Sequence, residues 1–142
     1  MSQYRWLIYA LISAGSASLV AIFGKLGLAG IDSTIATTLR SIVMSIFLFL
    51  ILLFSGLGLK SMAIKGWPLI WIILSGVAGA VSWLFYFKAL KIGGVSRVAP
   101  IDKLSMPIAV LLAVLILNEK YSKLNWLGII LIVAGAFLAS IA

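Results

Sequence analysis

Only three carboxylates, Asp32, Asp102 and Glu119, occur among 142 residues, against eleven lysines and arginines. There is no histidine and no cysteine. That removes disulfides, thiol nucleophiles and the commonest metal ligands together. No serine lies near a plausible base, so nothing supports covalent catalysis; no cofactor, metal or enzymatic activity is expected. The informative charges are those inside long apolar runs, where an ionised side chain costs several kcal/mol and marks function by default. Arg40 falls about seven residues into such a run, about 10 Å of helical rise from its start. Asp102 and Lys103 fall about one turn into another. Neighbours on a helix point about 100° apart, so these two are not expected to face each other; each needs a partner elsewhere or a wet cavity. Pro107 has no N–H and so removes the bond that would satisfy the Lys103 carbonyl, which suits a stretch facing other helices or water. Trp83 and Tyr86 share a turn with Lys88 and could line a substrate path. The expected path residues are therefore Arg40, Trp83, Tyr86, Lys88, Asp102 and Lys103, with Pro107 as a helix break. Structural readings stand beside this one. Arg40 could pair with Asp102 and lock two helices, Lys88, Lys91 and Arg97 could anchor at headgroups, and Glu119 could pair with Lys120 or Lys123 or cap a helix. Trp67 and Trp126 fit an interfacial belt.

The elements that carry these residues follow from composition. Hydrophobic residues make up 64% of the chain and charged ones 10%, against roughly a quarter charged in soluble domains. The surrounding medium must be largely lipid. A hydrocarbon core of about 30 Å takes around 20 helical residues. Five runs meet this, predicted at 6–24, 33–54, 67–90, 98–117 and 124–142. The punctuation agrees: Asp32-Ser33 can cap the second span, Gly56-Leu57-Gly58 ends it, Pro68 sits where the third begins, Gly93-Gly94 precedes the fourth, and Ser122 can cap the fifth. The loops are short, so consecutive helices should be antiparallel neighbours, with no extramembrane domain. A cleaved signal peptide over the first span is the weaker reading, because the apolar run continues past its small residues to Phe23. A piece of a larger protein would read the same way. Small residues four apart (Ala14 and Ser18, Ala17 and Ala21, Ser75 and Gly79, Gly76 and Ala80), and Gly128 and Gly135 two turns apart, read as packing within the bundle.

Several stretches together resemble a known family. They are Tyr86-Phe87-Lys88-Ala89-Leu90-Lys91, Ala99-Pro100-Ile101-Asp102-Lys103-Leu104-Ser105, Leu115-Ile116-Leu117-Asn118-Glu119-Lys120, Trp126-Leu127-Gly128 and Ala134-Gly135-Ala136. The first half adds a small-residue helix leading to Lys25 and an arginine, Arg40, early in the second helix. The whole resembles an EamA domain of the drug/metabolite transporter superfamily, in its single-domain, five-helix form. The resemblance implies an all-α integral membrane fold, half of a ten-helix inverted-repeat transporter, and a small-molecule substrate. It implies a multi-pass protein of the cytoplasmic (inner) membrane, acting as a metabolite exporter. The alternatives are a non-transporting membrane assembly subunit and a lipid-carrier flippase subunit.

The expected partners are membrane lipid, a small-molecule substrate and a second copy of the chain, with no nucleic acid; the net charge of +8 reads as headgroup contact. The deep charges are mostly basic, which favours anionic or zwitterionic substrates, and Asp102 is the deep acid available to carry a proton. An odd number of spans makes an antiparallel homodimer the way for one domain to recover an inverted repeat. The charge balance allows it. Arg5, Lys60, Lys65, Lys120 and Lys123 fall on one side; Lys25, Lys88, Lys91 and Arg97 fall on the other, joined by Arg40 and Lys103 if deep charges are counted.

Overall fold

The computed structural model describes residues 4–57 and 63–141. Gly58 and Lys60, and the terminal residues Met1 and Ala142, lie outside the described residues. Six α-helices form in chain order: α1 (Arg5–Gly27), α2 (Ser33–Phe54), α3 (Trp67–Ile92), α4 (Val95–Asp102), α5 (Ser105–Ile116) and α6 (Lys123–Ile141). Five stretches are long and apolar enough to cross a membrane, because α4 and α5 together make one span, Val95–Ile116. No strand occurs among the described residues. Every residue from Ser41 to Ile51 in α2 and from Trp67 to Ala78 in α3 is exposed. Helices so apolar around their circumference are stable facing lipid and not facing water. The chain is an all-α, multi-pass membrane protein.

Two compact units divide it, Leu26–Lys91 and Met1–Lys25 with Ile92–Ala142. The first unit is built on α2 and α3. Asp32 is the N-cap of α2, and its Oδ1 accepts the Thr34 N–H at 2.8 Å. Ser55 closes the helix and Gly56 follows at φ 75°, a left-handed position that glycine takes without a Cβ penalty. Gly66, at φ 81°, turns the chain into α3, and Pro68 occupies the first turn, where its missing N–H costs nothing. The residues of this unit that reach burial are Leu28, Ser33, Thr37, Phe87 and Leu90. Four of them lie on two stripes. On α2 the stripe is Ser33, Thr37 and Arg40; on α3 it is Trp83, Phe87 and Leu90. Each follows the i, i+4, i+7 spacing of one helix face.

The capping carboxylate makes a testable demand. Its bonds to Thr34 hold the Asp32 carboxyl below the ordinary value of 3.8. A depressed folded-state pKa contributes stability that is present above the unfolded value and lost as pH falls through the folded one. Thermal unfolding in detergent should therefore show a small loss on acidification below about pH 4. Asp32→Asn, which still caps, should remove that component of the pH dependence.

In the second unit α4 packs along α6, and α5 touches α6. Ala21 of α1 and Ile129 and Ala136 of α6 are its buried residues. The Lys25 ammonium donates to the Gly93 carbonyl at 2.9 Å, tying the end of α1 to the link before α4. Ser122 caps α6 through its Oγ, which accepts the Asn125 N–H at 3.2 Å. Asn118 is left-handed at φ 55°, a conformation asparagine tolerates. It lets the Glu119 N–H fold back onto the Ala113 carbonyl at 3.3 Å, so Glu119 serves the end of α5 through its backbone.

Three expectations change here. The fourth span starts at Val95 and is not one helix over 98–117; it breaks at Lys103–Leu104. Pro107, in the first turn of α5, and Pro100, inside α4, each withdraw a helical N–H on either side of that point. The Lys103 carbonyl is not orphaned, because the tighter turn brings it the Met106 N–H at 3.1 Å. Finally, the small-residue pairs do not pack helices together at their glycines: a Cβ added at Gly76, Gly79, Gly128 or Gly135 would meet nothing within 4 Å.

Candidate functional site

Arg40 is the deep charge of the first unit. Its guanidinium carbon lies 3.7 Å from the centroid of the Trp83 ring and 5.7 Å from that of Phe87. These are cation–π distances, and the attraction strengthens where water is scarce. The rings brace one another: Trp83 meets Tyr86 edge-on at 5.5 Å and Phe87 at 6.0 Å, and Tyr86 meets Phe87 at 6.2 Å. Phe87 is buried, while Arg40, Trp83 and Tyr86 are half-buried. The cluster is thus a fixed aromatic wall with one cation laid on it. Among the described residues no hydrogen bond or ion pair reaches the Arg40 side chain. Lys88 stands apart from this group. It is exposed, and its ammonium lies 5.5 Å from the centroid of the Phe85 ring.

A feature not anticipated from the sequence runs beside Arg40. Thr37 donates its hydroxyl to the Ser33 carbonyl (2.7 Å), Thr38 to Thr34 (2.8 Å), Ser41 to Thr37 (2.9 Å) and Ser45 to Ser41 (2.9 Å). Each hydroxyl proton is satisfied within α2, which is how a serine or threonine survives in lipid. The oxygen lone pairs remain available. The repeat of Ser or Thr at 33, 37, 41 and 45 was the signal that could have revealed this ladder.

The second unit places Asp102 and Lys103 at the break between α4 and α5. Their side chains meet, Lys103 Nζ to Asp102 Oδ2 at 3.6 Å, with side-chain exposures of 62% and 34% respectively. The expectation that neighbouring residues could not face each other is therefore corrected. It assumed a continuous helix, whereas Lys103 is the C-cap of α4 at the break, and its long side chain reaches back to its neighbour. So exposed a pair contributes little stability. Pro107 lies half-buried just beyond.

No cluster of His, Cys, Asp or Glu able to hold a metal occurs among the described residues. The arrangement offers two polar stations inside apolar spans, a stacked guanidinium beside a hydroxyl ladder and an acid–lysine pair at a broken helix. Charged groups at such depth are candidates for function by default.

An uncharacterized transporter encoded in the cobO 3′ region of a Sinorhizobium species is 43% identical over 141 residues, covering 99% of each chain. No solved structure matches the chain. The relative's name points to a transporter rather than an enzyme. Residues 4–141 match the EamA-like transporter family, so this five-span chain belongs to that family.

Proposed function

We propose that the protein exports a small metabolite across the cytoplasmic membrane of a prokaryotic cell, working as a homodimer of inverted copies. The observation that carries this reading is the break in the fourth span. Interrupted helices at membrane depth are tolerated where they are buried in protein or line a wet cavity, and in transporters they form the sites of substrates and coupling ions. Asp102 sits in the last turn of α4. There the carbonyl end of the helix opposes a negative charge, so the acid contributes nothing as a cap. A coupling role, exchanging its lysine partner for a proton or a cation, accounts for it better. Arg40, Trp83 and Tyr86 supply the second station, with Lys88 at the periphery. The open glycine face of α3 supports a second copy in contact, since small residues let backbones approach closely in lipid.

Purified protein in liposomes tests the reading. The chain alone is expected to accelerate efflux of at least one of a panel of labelled amino acids, organic acids and sugar phosphates. An assembly subunit would move none of them. Asp102→Asn should slow transport by about tenfold or more and flatten its pH dependence. Unchanged rates from pH 5 to pH 8, at full folding by circular dichroism, would remove Asp102 from coupling.

A further inference from the structure

The half-buried guanidinium of Arg40 lies over the Trp83 ring, 3.7 Å from its centroid, and its N–H groups meet no acceptor among the described residues. We propose that these N–H groups are a seat for the oxyanion of a small organic ligand, with Trp83 and Phe87 as the floor beneath it. The proposal deepens the transport reading by naming the chemical class the Arg40 station accepts, and it rests on that reading only for the idea that the ligand then crosses.

The argument begins with the donors. A guanidinium carries five N–H groups in one plane. Stacking on Trp83 at 3.7 Å offsets part of the charge through the ring face, but it gives the in-plane hydrogens no acceptor. No protein oxygen among the described residues takes them. Nor are they shut away: no side-chain nitrogen or oxygen among the described residues is both fully buried and without a partner. The donors therefore open onto space about seven residues inside a span, where an uncompensated cation is costly. A planar fork of N–H donors that meets no protein acceptor and is not fully buried fits a two-oxygen acceptor, a carboxylate or a phosphate, through paired charge-assisted hydrogen bonds. The Asp32 carboxylate does not serve, because it caps the start of α2, about 12 Å of helical rise from Arg40.

The surroundings narrow the ligand further. Trp83, Tyr86 and Phe87 form contacts at 5.5–6.2 Å between ring centroids. A ligand whose oxyanion meets Arg40 would lay its carbon body near these rings, so the class is a small organic oxyanion with an apolar portion and not a bare inorganic ion. The phosphate of a lipid headgroup offers the same oxygens, and the test separates the two sources.

The protein purified in neutral maltoside detergent is titrated by calorimetry with isovalerate and, as the uncharged control, isovaleramide. The expected result is saturable binding of isovalerate only. Arg40→Gln should weaken it at least about tenfold, the scale of one lost charge-assisted pair. Arg40→Lys should keep a weaker site, since the charge stays but the fork is lost. Trp83→Leu should weaken binding by about threefold to tenfold through loss of the stack. If Arg40→Gln does not fold, the Arg40→Lys and Trp83→Leu titrations decide. A second arm mixes the protein with phosphatidylglycerol and counts retained lipids by native mass spectrometry. Lipid retained by the wild type and lost in Arg40→Gln assigns the seat to a headgroup, and isovalerate binding assigns it to a soluble solute. Equal behaviour of wild type and the Arg40 variants in both arms, or equal binding of isovalerate and isovaleramide, overturns the proposal. Neither arm requires transport, so isovalerate binding with no efflux of any solute of the liposome panel would leave the seat standing and overturn the transport reading instead.

Discussion

Leu90→Ala is expected to destabilise the protein by about 2 kcal/mol, while Leu74→Ala on the same helix should change stability by less than about 0.5 kcal/mol. Leu90 is fully buried at 0% exposure, whereas Leu74 is 52% exposed on the apolar flank of α3. The magnitude follows from what lipid changes. In a water-soluble core a leucine-to-alanine change loses both transfer energy and packing, for about 2.7–5 kcal/mol. Where the alternative surroundings are hydrocarbon, the transfer part largely vanishes and the packing part remains. A void of about 80 Å³ at about 24 cal/mol per Å³ gives the lower figure. Phe87, 3% exposed, should behave like Leu90 and also release Trp83 and Tyr86 from their edge contacts. Unfolding of each variant from mild detergent by titrated denaturing detergent, followed by circular dichroism, measures the difference. Equal stabilities for the Leu90 and Leu74 variants would mean that Leu90 is not packed as the structure has it.

The spans were legible because hydropathy and punctuation agreed. Asp32, Gly56, Pro68, Gly94 and Ser122 all fall at helix ends, and α2 runs over Ser33–Phe54 as read from the chain. The ends were less so. Helices α1 and α3 continue past Lys25 and Lys91, because a lysine in a last turn is favoured by the helix dipole and does not stop the helix. The break at Lys103–Leu104 was half legible, since Pro107 by itself removes a helical bond. What escaped was that a tighter turn would give the Lys103 carbonyl to Met106 and bring Lys103 back onto Asp102. That depends on local backbone geometry, which spacing on an ideal helix does not contain. The Arg40–Trp83 stack was out of reach for another reason. The sequence marks both residues as candidates, but 43 positions separate them, and no periodicity sets the register of α2 against α3. The hydroxyl ladder is written in its four-residue repeat at Ser33, Thr37, Ser41 and Ser45, but serine and threonine carry no charge to mark it at depth.

A single cysteine placed after Met1, and in a separate variant after Ala142, is expected to label from both sides of the membrane, each side taking between about a quarter and three quarters of the chains. The chain has no cysteine of its own, so the background is clean. The expectation follows from the homodimer of inverted copies. Five crossings put the start of α1 and the end of α6 on opposite faces, so a second copy related by an inverted repeat must insert the other way up. Insertion both ways requires a weak charge bias, since orientation follows the lysines and arginines flanking short loops. Arg5, Lys60, Lys65, Lys120 and Lys123 stand against Lys25, Lys88, Lys91 and Arg97, and counting Arg40 and Lys103 reverses the excess. Lys25 and Lys91 lie in the last helical turns of α1 and α3, close enough to the span ends to count. A bias this small should also be easy to tip. Three lysines added after Met1 should shift most chains to one orientation and abolish transport. Co-expression with a copy tipped the opposite way, by lysines added after Lys91, should restore it. Labelling of each cysteine from one side only would establish a single orientation and overturn the inverted dimer, leaving a monomer or a parallel pair to carry the transport.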